Sequence, residues 1–307
     1  MKKLILVVIM SLVLVLSGCS KKVAEDPSIK IYTRDATSGT RDGFFTTIGF
    51  KEAVSDNSKL KDFVEVANNG EMISSIVNDE YGIGYISLSS LDGSGVKGLN
   101  YNSVEPTEDN VINGTYKLTR NFNYNTRADY ATEKERQIVE AFVAYLSTKD
   151  AKATISGADG IVEIKTSDPS WEAIKANYPI ILEDNSGVTI RFGGSTSVEK
   201  VAKKLSAEFS TKCGNFNVEH NHTGSSDAYK ATQGSEKDGS NSLHIGFASR
   251  EYKLTSDEQL EEGTYGFICK DAIVAVVNNN NPLTNVTTET LKNIYNSTVT
   301  KWNDLNK

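Results

Sequence analysis

Ser38-Gly39-Thr40 lies between Arg34 and Arg41 in the run from Ile29 to Phe45. Ser and Thr hydroxyls donate hydrogen bonds without charge, and glycine lets backbone N–H groups approach a ligand closely. The two guanidinium groups can add forked, charge-assisted bonds. This set suits an oxyanion, although a single such loop is more often a helix N-cap with a flanking surface arginine. Two further runs favour the anion. Val188 to Phe192 leads into Gly193-Gly194-Ser195-Thr196-Ser197, and Phe216 to Val218 leads into His222-Thr223-Gly224-Ser225-Ser226-Asp227-Ala228.

Each of these runs reads as strand, small-residue turn and helix start. A helix N-terminus offers unpaired N–H groups and the positive end of the dipole. In an open α/β sheet, ligands sit beyond the carboxyl ends of the strands, where all three turns would meet. After Ser197 a helix follows with Val198, Val201, Ala202, Leu205 and Phe209 on one face. Helical spacing also marks Gly70 to Val77, Glu133 to Ser147 and the stretch after Thr287, while Tyr81 to Leu88 reads as a strand. Ser256 to Gln259 has the pattern of a capping box opening a short acidic helix. Alternating strands and helices predict an α/β protein of two domains. The Asp-, Pro- and Gly-containing stretch 168–187 is the expected linker, with Trp171 and Ile174 packing part of it.

The N-terminus has Lys2 and Lys3, then an apolar run from Leu4 to Leu16, then Leu16-Ser17-Gly18-Cys19. It resembles a bacterial lipoprotein signal over 1–19, with Cys19 lipidated and 20–28 as a polar tether. The formal charge of −7 argues against nucleic acid as a partner but not against a small anion held by local donors. Cys213 and Cys269 could pair or could each be buried; the strand pattern around Cys269 favours burial. His220 and His222 share a strand face, and no zinc-ligand spacing completes them. There is no Walker run, no Gly-x-Ser-x-Gly elbow and no His-Glu-x-x-His, so a binding protein without cofactor or metal is expected rather than an enzyme.

These residues resemble the phosphate-binding lipoproteins of bacterial phosphate ABC importers through nearly the whole mature chain. Ile31 to Asp42 is similar to that family's second-lobe anion loop, and Gly194 to Val198 to its opening loop. Thr223 to Ser226 and Ile245 to Glu251 resemble its further loops, and Tyr81 to Ser87, Asn113 to Arg120, Ala141 to Ser147, Asp271 to Asn278 and Thr287 to Asn303 its framework. The resemblance implies a two-lobe, type II periplasmic-binding-protein-like fold. One lobe would be 29–118 plus 270–307 and the other 119–269, hinged near 118–123 and 269–273. In the family the opening loop comes first; here the second half does, which looks like a circular permutation with 168–187 joining the old ends. Exchange of halves between two chains is the rival account.

The resemblance further implies phosphate binding by Arg34, Ser38, Gly39, Thr40, Ser195, Thr196, Ser197, Ser225, Ser226, Ser249 and Arg250. Relatives carry Asp where this chain has Arg250, which either binds the anion or pins its loop through a carboxylate. Hydrogen phosphate has a proton to give and sulfate does not, so an accepting carboxylate would discriminate between them. Asp42 is the first choice for that acceptor, with Asp227 and Glu251 behind it. The implied function is capture of inorganic phosphate for an ABC permease by a monomer anchored on the extracytoplasmic face of the membrane. Alternatives are another oxyanion (sulfate, molybdate, an organic phosphate) or a surface sensor or adhesin.

Overall fold

The computed structural model describes residues 27–306. The signal expected over 1–19, Cys19 with it, and most of the 20–28 tether lie outside the described residues. The strands are β1 Lys30–Arg34, β2 Phe63–Val66, β3 Gly82–Ser87, β4 Val96–Gly98, β5 Asn100–Tyr101, β6 Thr119–Thr126, β7 Thr189–Gly194, β8 Asn217–His222, β9 Ile245–Ala248, β10 Tyr265–Asn278 and β11 Asn285–Val286. The helices are α1 Gly39–Thr47, α2 Asn69–Val77, α3 Glu108–Ile112, α4 Glu133–Leu146, α5 Lys149–Ser156, α6 Trp171–Ile174, α7 Glu199–Lys212, α8 Ser225–Thr232 and α9 Thr288–Tyr295.

The strands join in the order β2-β1-β3-β10-β6-β9-β7-β8, with β4 also on β10 and β5 paired to β11. The long β10 changes partner part-way. Tyr265 to Ala272 run antiparallel to β6, and Ile273 to Val277 run antiparallel to β3. Around it, β1 is parallel to β2 and β3, while β7 is parallel to β8 and β9. The sheet therefore divides into two halves, each with its own apolar core. Phe122, Phe142, Phe192, Phe209 and Phe247 lie in one core; Phe44, Phe45, Tyr85, Ile273 and Tyr295 lie in another. This is the two-lobe α/β architecture expected.

Local chemistry explains the elements. Ser38, Asn68, Thr148, Ser170 and Thr287 each cap a helix by accepting from a backbone N–H two or three residues on. Thr132 and Glu135 form a full capping box on α4, whose buried stripe is Ile138, Val139, Phe142, Tyr145 and Leu146. β3 is buried along its whole length, as a strand covered on both faces must be.

Two expectations need revision. Ser256 to Gln259 opens no helix. The segment is a turn on the Lys253 carbonyl, and Glu258 spends its carboxylate on Arg250 and on the Lys253 N–H instead of extending a helix. The 168–187 stretch is a packed segment rather than a loose linker: Trp171 and Ile180 are buried, and the Trp171 N–H donates to Asp150 Oδ2 at 2.7 Å. Cys213 and Cys269 are buried and free. The two ends of the described chain lie side by side, with Ile29 N–H donating to the Thr300 carbonyl at 2.8 Å. No helix among the described residues is long and apolar enough to cross a membrane.

Candidate functional site

The carboxyl ends of β1, β7 and β9, with the loop after β8, converge on one cluster of hydroxyls. Ser249 Oγ is its hub. It lies 2.9 Å from Ser195 Oγ and 3.1 Å from Ser225 Oγ, and the Ser249 N–H donates to Ser225 Oγ at 3.0 Å. From the other half of the sheet, Thr40 Oγ1 meets Ser197 Oγ at 2.9 Å. Ser38 accepts from the Thr40 N–H at 3.2 Å and so shapes the first turn of α1. The N-terminal ends of α1 and α8 and the loop entering α7 therefore face a common point, each contributing donors and a dipole.

Arg34, the last residue of β1, is 1% exposed. Its Nη2 donates to the Ala67 carbonyl at 2.6 Å and to Thr196 Oγ1 at 3.0 Å, across the two halves. Nη1 makes only long contacts, 3.5 Å each, to Thr40 Oγ1 and Asn69 Oδ1, and Nε has no partner. Among the described residues no carboxylate pairs with it. Burial pulls this guanidinium below its ordinary range, and Arg120 nearby adds to the effect. A buried cation without a counter-ion is costly, so the arrangement calls for an anion from outside.

Glycine is required at two points. At Gly39 an added Cβ would stand 2.5 Å from Ser249 Oγ and 3.1 Å from Ser225 Cβ, and closer still to Ser225 Oγ. Gly194 has φ +99 and lies against the Phe247 carbonyl, so β7 can end inside the loop cluster.

The structure brings together Arg34, Ser38, Gly39, Thr40, Ser195, Thr196, Ser197, Ser225 and Ser249. Ser226 lies at the rim, with its hydroxyl near the Thr37 carbonyl at 3.4 Å. Arg41 points away. Its Nε and Nη2 hold the Ala53 carbonyl and its Nη1 the Arg34 carbonyl at 3.0 Å, so it fixes the backbone of β1. Arg250 pairs with a carboxylate, and its Nη2 also reaches Ser226 Oγ at 3.3 Å. It holds Glu258 bidentately at 2.8 and 2.7 Å, with both side chains buried. Burial opposes its charge, but Glu258 outweighs burial and raises the pKa. Asp42 faces Arg250 Nε at 3.8 Å and accepts from Thr46 Oγ1, with no bond to the hydroxyl cluster.

Arg120 and Asp271 were not singled out by the sequence reading. Arg120 Nε and Nη2 hold Asp271 Oδ2, and Nη1 donates to Ser249 Oγ at 3.2 Å. The residues are far apart in the chain and carry no local motif; only the pairing of β6 with β10 aligns them. His222 is a supporting residue. Its Nδ1–H donates to the Ser195 carbonyl at 2.9 Å, and its Nε2 meets His220 Nδ1 at 3.0 Å.

Two α/β lobes that share crossover strands, with a buried cationic hydroxyl cradle between them, are a periplasmic-binding-protein-like fold. Residues 181–307 match the PBP superfamily domain. The chain is a relative of phosphate-binding substrate-binding proteins. It is 28% identical over 299 residues to phosphate-binding protein PstS 2 of Streptococcus agalactiae serotype V, covering 95% of this chain and 94% of the relative. To the PstS 2 of Streptococcus pneumoniae serotype 4 it is 26% identical over 293 residues, covering 94% and 91%. A solved phosphate-binding protein of a Streptococcus pneumoniae phosphate ABC transporter superposes with a TM-score of 0.65 at 25% identity, covering 91% of this chain and 99% of that one. One alignment runs through nearly all of both chains, so these relatives carry their segments in the order found here.

Proposed function

We propose that this chain is the solute-binding subunit of an ABC importer and that its ligand is inorganic phosphate. The observation that carries the reading is Arg34, buried, without a carboxylate partner and with Nε unbonded, facing hydroxyls from both lobes. Phosphate supplies the missing charge and enough acceptor oxygens for the surrounding N–H and O–H groups. In this reading the chain binds rather than catalyses, as its relatives are phosphate-binding proteins.

Capture then proceeds by closure. The lobe with α1 and the lobe with α7 and α8 would hinge where β10 changes partner, near 118–123 and 269–273. Ser38, Gly39 and Thr40 would close against Ser195, Thr196, Ser197, Ser225 and Ser249. In this reading the protein works as a monomer, held by a lipid on Cys19 at the extracytoplasmic face and docking on the permease. The adjacent ends of the described chain support packing of both halves within one chain.

Isothermal titration of the full chain in detergent, unfolded and refolded to strip carried-over ligand, tests the assignment. Phosphate is expected to bind, and Arg34→Gln to weaken it at least tenfold, about 1.4 kcal/mol. Unchanged affinity in a folded Arg34→Gln protein removes the residue from the site. In cells, loss of the gene should lower phosphate uptake; normal uptake with no substitute receptor would point to a sensor or adhesin.

A further inference from the structure

The cradle holds a second buried guanidinium. Arg120, near the start of β6, is 6% exposed. Two of its nitrogens bind Asp271 Oδ2 at 2.9 and 2.7 Å, which leaves Nη1 to reach Ser249 Oγ at 3.2 Å. That oxygen is the hub on which Ser195 and Ser225 converge. Arg120 thus presents one N–H to the point where the anion would lie, while its other end is fixed.

Asp271 is saturated in turn. Its Oδ2 takes both Arg120 donors and its Oδ1 takes the Ser87 hydroxyl at 2.7 Å. Burial pushes its pKa up and that of Arg120 down, and the pair opposes both changes. With three donors on its oxygens Asp271 is a carboxylate that positions Arg120, not an acceptor open to the ligand.

Other carboxylates around the loops are also engaged. Asp42 faces Arg250, Asp227 accepts from Thr223 Oγ1, Glu251 from the Asn121 and Asn123 amides, Glu258 from Arg250, and Asp35 from the Thr37 N–H. Among the described residues none accepts from the hydroxyls of Ser195, Ser197, Ser225 or Ser249. What remains to meet a proton on the ligand is a hydroxyl, which can donate or accept. A hydroxyl can turn its hydrogen to suit either ligand, whereas a carboxylate would repel an unprotonated one.

Building on the phosphate-receptor reading, we propose that Arg120 is a direct ligand of the bound anion. We further propose that the site recognises the charge and tetrahedral shape of the anion rather than the ligand's proton. Arg34 supplies a charge that no carboxylate among the described residues balances, Arg120 adds a charge-assisted N–H while Asp271 balances its own charge, and the ring of hydroxyls matches the tetrahedral oxygens. The substrate class is then the tetrahedral oxyanion dianion, sulfate included.

The refolded full chain in detergent, titrated with inorganic phosphate, with sulfate, and with one against the other, tests this. Sulfate is expected to bind within about tenfold of phosphate and to displace it. Phosphate affinity should fall below neutral pH as the ligand itself takes up a proton, while sulfate affinity stays level. Arg120→Lys keeps a charge beside Asp271 but cannot serve Asp271 and the anion together, so both dissociation constants should rise about tenfold or more. Circular dichroism checks that this variant is folded, and the wild-type competition decides the issue even if it is not. Tight phosphate binding unaffected by about a hundredfold excess of sulfate overturns the proposal and leaves the phosphate reading standing. Unchanged affinities in folded Arg120→Lys remove Arg120 as a ligand. Binding of neither anion overturns both readings.

Discussion

Gly39→Ala separates stability from binding in a way that tests the closed cradle directly. Gly39 is the first residue of α1, and its φ is not in the positive range, so alanine fits the backbone. On helix propensity and unfolded-state entropy alone the substitution should stabilise the protein, by about 0.4–1 kcal/mol. The new methyl group would, however, stand 2.5 Å from Ser249 Oγ and 3.1 Å from Ser225 Cβ. Neither neighbour can swing away freely, because Ser249 is bonded to Ser195, Ser225 and Arg120. Overpacking of this kind costs about 1–3 kcal/mol, and here it acts only when the lobes meet. Phosphate affinity should therefore fall roughly 5- to 150-fold. Titration calorimetry reads the affinity, and thermal unfolding without ligand should show an equal or higher midpoint. Unchanged affinity would mean that α1 does not meet the serine loops in the bound state. A lower midpoint without ligand would mean that the contact belongs to the permanent fold, and the closure argument would fail.

Other outcomes follow from buried charge. Glu258→Ala leaves the buried Arg250 guanidinium without its bidentate partner and with only Asp42 at 3.8 Å, which should cost up to about 3–5 kcal/mol in denaturant unfolding, with much of it recovered in the Arg250→Ala, Glu258→Ala double variant. Burial lowers the pKa of His220 and of His244 from 6.5 to about 4. Between those values the unfolded chain binds more protons than the folded one, so stability should be full above about pH 6.5 and fall as pH drops toward 4. Burial lowers His222 as well, so urea unfolding across that window should show the loss, and replacing all three histidines with glutamine should flatten it. Burial pushes the Cys213 thiol up to about 12 and Cys269 well above its ordinary value, so a thiol reagent should label neither until the chain is unfolded. Fast labelling of the native protein would contradict the packing found here.

How much of this was legible in the sequence depends on whether the information is local. Ser38-Gly39-Thr40, Gly194-Ser195-Thr196 and Gly224-Ser225 announce themselves, because a tight loop from a strand into a helix draws small and hydroxyl residues next to each other. The stripes of α4 and α7 are just as plain, since helical periodicity is written along the chain. The acidic helix expected after Ser256 failed for the complementary reason. Its capping pattern is local, but Glu258 is claimed by a buried arginine, and that claim outweighs a short helix.

By itself, then, the sequence determined the α/β class, the loops that hold hydroxyls, and Arg34 as a cation among them. Only the tertiary structure decided which charges are neutralised. Arg41, Arg250 and Arg120 are indistinguishable as residue types, yet one fastens β1, one pins a loop on Glu258, and one divides itself between Asp271 and the hydroxyl hub. The difference arises because a guanidinium's role is set by which acceptors lie within about 3 Å of its five N–H groups. Those acceptors come from strands and loops more than a hundred residues away for Arg120, and no local pattern records them.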